Sequence, residues 1–134
     1  MLIHGQCHCD SVAFEAEVDP STARICHCTD CQSSSGSLFR ANIVALPGTF
    51  RLMKGMPKTY IKTAESGNKR AQAFCEHCGS GLYSKHPVDP VGYVLRVGVI
   101  AERQSFKPSR QIWCRSMVPW GVEVPGLERS EGQG

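Results

Sequence analysis

With 134 residues, 41% hydrophobic and only two Trp, three Tyr and five Phe, the chain has material for one modest core that would gain from cross-links. Its formal charge of +3 comes from scattered Lys and Arg, with no basic run to make the footprint of a nucleic-acid binder. The longest apolar stretch, residues 93–101, is broken by Arg96 and too short to span a membrane, and Met1 to Gly5 is too polar for the core of an export signal.

Strand signals then follow one another along the chain. Residues 12–18 (VAFEAEV) alternate apolar and polar, as a half-buried strand does. Asp19-Pro20-Ser21-Thr22 reads as a turn and residues 23–26 as a short strand. Thr29 to Ser35 is polar and suits a helical turn. Residues 38–46 form a longer strand candidate, closed by Pro47-Gly48. Shorter strands are expected at 50–53, 59–62, 71–74 and 81–84, with Gly, Pro and Ser turns between them. Tyr93 to Ile100 is the strongest strand candidate, and Gln111 to Arg115 is another. Short strands at this spacing predict a mainly antiparallel β domain over residues 1–125, followed by a loose, small and charged tail at 126–134.

Seven of the eight cysteines fall into three tight clusters: Cys7-His8-Cys9, Cys26-His27-Cys28-Thr29-Asp30-Cys31 and Cys75-Glu76-His77-Cys78. C-x-C and C-x-x-C are metal-site spacings, and a chain without an export signal is expected in a reducing cytoplasm, which argues against disulfides. In extended backbone, residues i and i+2 share a face. Cys7 and Cys9 can therefore reach one ion, as can Cys26 and Cys28, while His8 and His27 point away as surface or supporting residues; His77 is read the same way. Cys75 to Gly79 has the form of a zinc knuckle, and the glycine frees the backbone to turn amides toward sulfur.

A knuckle supplies two ligands, and spacing alone permits either Cys7 and Cys9 or two residues of the middle cluster as its partner. Only the first choice uses every clustered cysteine without an orphan pair. The middle cluster then keeps three thiolates and one open coordination position, which is where metals do chemistry. Seven thiolates and two zinc ions together carry −3, so the loaded chain is near neutral, which further disfavours nucleic acid. Cys114, on the predicted strand Gln111 to Arg115, has no partner nearby and is expected to be a small buried apolar residue.

Taken jointly, Gly5-Gln6-Cys7-His8-Cys9, Cys26 to Ser37, Ser66-Gly67 and Phe74 to Leu82 resemble the glutathione-dependent formaldehyde-activating enzyme family, which includes the centromere protein V relatives. The similarity runs from about Gly5 to Trp120. The resemblance implies a mainly β, Mss4-like (β-tent) fold of short antiparallel sheets and little helix, built around two zinc sites. By position, Cys7, Cys9, Cys75 and Cys78 match the structural zinc ligands, and Cys26, Cys28 and Cys31 the catalytic zinc ligands. The implied activity is that of an S-(hydroxymethyl)glutathione synthase, a carbon–sulfur lyase run toward synthesis. Glutathione or a similar thiol and a small aldehyde are then the partners, with the loop from Ser33 to Ser37, including Ser35 and Gly36, offering hydroxyls and amides to a glutathione carboxylate. A thiol carrier without turnover and a structural-zinc module for a protein partner are the alternatives. The chain departs from the family at Asp10, where Gly is frequent, at Ile100-Ala101 in place of Leu-Asp, and at Gln111 in place of His; such strand-end and loop positions are expected to shape the pocket.

Overall fold

A computed structural model describes residues 1–64, 66–88, 92–121 and 126–133. The architecture is mainly β, as expected. A small sheet has the order β1-β2-β5, formed by β1 (Leu2–Gln6), β2 (Ala13–Glu17) and β5 (Arg51–Lys54). A seven-stranded sheet has the order β10-β3-β4-β9-β8-β7-β6. Its strands are β3 (Arg24–Cys26), β4 (Arg40–Val44), β6 (Lys58–Thr63), β7 (Lys69–Phe74), β8 (Gly81–Lys85), β9 (Val94–Arg96) and β10 (Arg110–Ile112). Every pairing is antiparallel except β10 with β3, which is parallel. Asp19 caps a single 3-10 turn at Pro20–Thr22 through Ser21 N–H at 3.0 Å, where the sequence signals a turn.

Both sheets contribute to one core. From the small sheet come Ile3, Phe14 and Ala16; from the large one Ile43, Ala73, Tyr83 and Leu95. Fully burying each large apolar side chain contributes roughly 1.5–3 kcal/mol. Phe50 stacks on Tyr93 at 3.9 Å, and Phe14 and Tyr83 pack around that pair. Isolated bridges from Gly5 to Ile100 and from Val18 to Ala45 pin the small sheet against the rest.

The opposite face of the large sheet is polar. Register puts Arg24 across from Asn42 and Asn42 across from Arg96; farther along, Gln72 lies across from Ser84. Because side chains alternate along a strand, these groups face away from Ile43 and Leu95. The sheet thus has an apolar face for the core and a polar face for a cavity.

Three expectations need correction, and β1, too short an alternation to be recognised, was not expected at all. The strand expected over Tyr93 to Ile100 stops at Arg96, and Val97–Val99 is a 3-10 turn that swings Ile100 into the core and onto Gly5. The strand expected over Gln111 to Arg115 stops at Ile112: Trp113 adopts φ 59° and Cys114–Ser116 is another 3-10 turn. Cys114 is consequently exposed rather than buried, with Arg115 4.5 Å over the Trp113 ring. The expected boundary at residue 125 lies outside the described residues.

Gly5 has a packing reason. A Cβ there would lie 2.1 Å from Cζ of Phe14, which is buried and held by Phe50 and Tyr83. Gly5→Ala is expected to cost about 1–3 kcal/mol through overpacking. Thermal or denaturant unfolding of the variant measures the loss; a wild-type midpoint would contradict the tight packing of this contact.

Candidate metal centres

The loop after β1 and the turn after β7 meet in space. Cys7 and Cys9 stand opposite Cys75 and Cys78, and all four sulfurs lie within 4.8 Å of one another. Cys7 Sγ is 3.8 Å from Cys9 Sγ, which is 3.7 Å from Cys75 Sγ. Sulfurs at ~2.3 Å from a common tetrahedral centre sit about 3.8 Å apart, so the spacing fits a thiolate metal site. Hydrogen-bond donors converge on these sulfurs: Val12 N–H lies 3.3 Å from Cys7, the Ser11 hydroxyl 3.0 Å from Cys9, and the Ser80 hydroxyl 3.3 Å from Cys78. Such donors stabilise thiolate over thiol. The hydroxyl and amide of Ser80, with the Cys9 amide, bring the Cys78 thiol down to about 5, and Ser11 lowers that of Cys9.

Backbone turns hold the cluster. Gly79 adopts φ 77° and donates to Cys75 O at 2.8 Å. Asp10 adopts φ 68° and donates to Cys7 O at 3.2 Å. That left-handed backbone explains why glycine suits position 10, and why aspartate, which tolerates it, can replace glycine there.

The second cluster is local. Cys26 ends β3, Cys28 is the N-cap of α1 (Thr29–Ser35), and Cys31 lies in the helix's first turn. Cys31 N–H donates to Cys28 Sγ at 3.2 Å, and Gly36 closes the helix with φ 66°. The three sulfurs lie within 4.8 Å of one another, and no further cysteine, histidine or carboxylate joins them among the described residues. Burial raises the Cys26 thiol and pushes Cys31 up to about 12, against the attraction of Arg40. Against its own burial, Cys28 is lowered by the Cys31 amide and the neighbouring thiols. A metal ion held by such a set would require all three thiols to lose their protons. Both clusters can therefore hold a metal ion.

The histidines stay outside both clusters. His27 is buried behind the second one, donating from Nε2 to Gln111 Oε1 at 2.7 Å. Gln32 ties the helix down through its side-chain amide, to His27 O and Ser116 O, both at 2.9 Å. His8 and His77 are exposed. All eight cysteines are free of disulfides.

Cys26, Cys28 and Cys31 open onto a cavity of about 710 Å³. Ser33, Ser34 and Tyr60 contribute to its wall, and its floor is the polar face of the large sheet. Ser35 and Gly36 lie just beyond this lining, at the end of the helix, where the Ser35 hydroxyl receives Ser37 N–H at 3.2 Å. None of the departures at Asp10, Ile100-Ala101 or Gln111 lines the cavity: the first shapes a turn, Ile100 enters the core and Gln111 supports His27. Sequence reasoning missed the arginines of the floor, Arg24, Arg40, Arg70 and Arg96. The available signal was the i, i+2 pairing of Arg24 with Cys26, Arg40 with Asn42 and Arg70 with Gln72 on strands.

A mainly β domain with one four-cysteine and one three-cysteine cluster defines a protein with two thiol sets that could each hold a metal ion. The family described as glutathione-dependent formaldehyde-activating enzyme matches residues 2–116, and the chain belongs to that family. Among solved structures, the crystal structure of a Rhodobacter sphaeroides protein from structural genomics is similar in fold, with a TM-score of 0.60 and 21% identity, covering 81% of this chain and 98% of that one. No curated protein matches the sequence. Among the described residues no helix is long and apolar enough to cross a membrane.

Substitutions should separate the two clusters. Cys75→Ser is expected to lose one metal equivalent and to unfold or precipitate, because its cluster joins distant parts of the chain. Cys28→Ser is expected to lose one equivalent and keep a melting temperature near the parent's. Metal analysis with thermal unfolding checks both; equal collapse would show that the two clusters share the structural role. In chelator titration the local three-cysteine site should empty first. Lowering pH should empty both sites, since burial raises Cys26 and Cys31 in one cluster and Cys75 is pushed up to about 11 in the other, so that protons compete for the sulfurs of each.

Proposed function

We propose that both clusters bind zinc and that the protein joins a small thiol, glutathione or a relative of it, to formaldehyde or another small aldehyde. Cys7, Cys9, Cys75 and Cys78 hold the structural ion. Cys26, Cys28 and Cys31 hold the catalytic one. The observation that carries this reading is a three-sulfur set opening onto a cavity large enough for a tripeptide-sized ligand. Family membership supports the thiol and the aldehyde as the substrate classes.

Zinc held by Cys26, Cys28 and Cys31 would supply the positive charge that favours a thiolate over a thiol at neutral pH, and three thiolates, leaving a weak Lewis acid, would favour this over water activation. The chain's own groups do the rest. Cys31 N–H stabilises the Cys28 thiolate, and Arg40 offsets part of the sulfur charge at Cys31. Ser33 stands on the cavity wall, where it can bind a substrate carboxylate; beside it the Ser34 hydroxyl donates to Asp30 O and accepts from Arg40 Nη1, both at 2.7 Å, which fixes that part of the wall. Ser35 and Gly36 shape that segment from behind. The substrate sulfur forms a bond to the aldehyde carbon, the carbonyl π pair moves to oxygen, and that oxygen takes up the proton equivalent lost by the thiol. The product is an S-hydroxyalkyl thiol. A reducing cytoplasm keeps seven such thiolates available.

Glutathione binding to the zinc-loaded protein is expected to release about one proton near neutral pH. S-methylglutathione, which has no ionisable thiol, should bind much more weakly. Calorimetry in two buffers of different ionisation enthalpy counts the proton; equal affinities with no proton released would replace this reading with a structural-zinc module. Formaldehyde-dependent acceleration above the uncatalysed rate distinguishes an enzyme from a thiol carrier.

A further inference from the structure

The cavity beside the second cluster is strongly unbalanced in charge. Its wall carries five cations, Arg24, Arg40, Lys62, Arg70 and Arg96, and one carboxylate, Asp30. Lys62 already engages that carboxylate. A zinc ion with three thiolates would contribute only −1, so the loaded cavity keeps a surplus of three positive charges.

The arginines lack the partners that buried guanidinium groups usually have. Arg96 is only 7% exposed and, among the described residues, bonds neutral acceptors alone: Asn42 Oδ1 at 3.0 Å, Val94 O at 3.3 Å and Gln72 Oε1. Arg24 Nε and Arg40 Nε are sealed from solvent without a hydrogen-bond acceptor. Arg70 has one long contact, 3.5 Å to Ser84 Oγ. No arginine of the group pairs with a carboxylate among the described residues. The four also lie close enough to repel one another. Arg96 is brought down to about 9 by desolvation and then by Arg40 and Arg70, against the attraction of Cys31 and Cys26, and Arg70 is lowered by desolvation and Arg24. Four converging, mutually repelling guanidinium groups on the floor of an open cavity cost stability unless something negative joins them. Their planar forks match a carboxylate or phosphate.

We propose that this floor is a subsite for a multiply charged oxoanion, a phosphate or dicarboxylate carried by the thiol or by its electrophile, with Arg24, Arg40, Arg70 and Arg96 as its ligands. The proposal deepens the thiol-binding reading and rests on it for the placement of the reacting sulfur. Glutathione carries two carboxylates at opposite ends, one beside an ammonium group; the convergence of four cations on one floor favours a denser charge. The substrate class is accordingly a phosphorylated or dicarboxylic thiol, or an aldehyde bearing such a group. Formaldehyde, having no charge, would use none of this floor.

The test uses the full chain with metal in both sites. Inorganic phosphate and succinate are titrated by calorimetry in a chloride buffer of low ionic strength. Phosphate is expected to bind, to raise the melting temperature and to weaken steeply with added salt. Arg70→Gln and Arg24→Gln should each weaken phosphate by about tenfold or more. The same variants should keep or raise the melting temperature without phosphate, because they relieve repulsion; a merely structural arginine would lower it. Absence of phosphate and succinate binding, or variants that bind them as the parent does, would overturn the proposal. Repeating the titration with saturating glutathione locates the oxoanion: displacement of glutathione assigns it to the thiol, and joint binding to the electrophile. A cobalt-substituted second site reports sulfur binding separately, because added glutathione is expected to change the thiolate charge-transfer band that the three cysteines already give. An unchanged band with phosphate binding intact would sink the thiol reading alone, and a changed band without phosphate binding would sink the oxoanion subsite alone.

Discussion

The rest of this structure depends on the meeting of two turns. The segment after β1 and the knuckle after β7 place four sulfurs at tetrahedral spacing across a sequence separation of 66 residues between Cys9 and Cys75. A metal held there acts as a cross-link, and closing a loop of that length removes roughly 4 kcal/mol of unfolded-state entropy in the chain-entropy picture. For a chain whose apolar cluster is built largely from Ala, Val, Ile and a few aromatic rings, that is a large share of a typical folding free energy. Cys7 and Cys75 belong to the same buried cluster as Phe14 and Leu82, so a metal held by these sulfurs and the apolar packing would stabilise one another.

The second cluster obeys a different logic. Its three sulfurs come from six consecutive residues, Cys26 to Cys31, and close no long loop. It owes its geometry to a helix start: Cys28 caps α1 and Cys31 lies one turn in. The surrounding fold contributes position more than cohesion, holding that helix over the polar face of the large sheet through Gln32. One sheet therefore serves both purposes, its apolar face in the core and its polar face under the open-sided site.

What was legible in the sequence was local. Two-residue and three-residue cysteine spacings specify which sulfurs can share an ion, and alternation in residues 12–18 specifies β2. The cavity floor was not legible, because Arg24, Arg96 and Arg70 come together only through pairing among β3, β4, β9, β8 and β7. Scattered basic residues in the sequence become a patch through register, a non-local quantity. The misread strand ends have a similar cause. Residues 97–100 have strand-like composition, but Gly5 on a distant strand needs Ile100 against it, and the chain turns to provide it. Cys114 was expected to be buried because cysteine usually is; the left-handed backbone at Trp113 turns it outward.

The parallel seating of β10 against β3 carries its own consequence. β10 is three residues long, arrives from far along the chain, and covers the outer rim of the strand that ends in Cys26. Without it, β3 would present unsatisfied amides and carbonyls beside the second cysteine cluster, a template for any strand that fits. The same short piece from another molecule would find an identical row of donors and acceptors. Closure of this rim thus rests on a three-residue contact between segments that lie far apart in the chain.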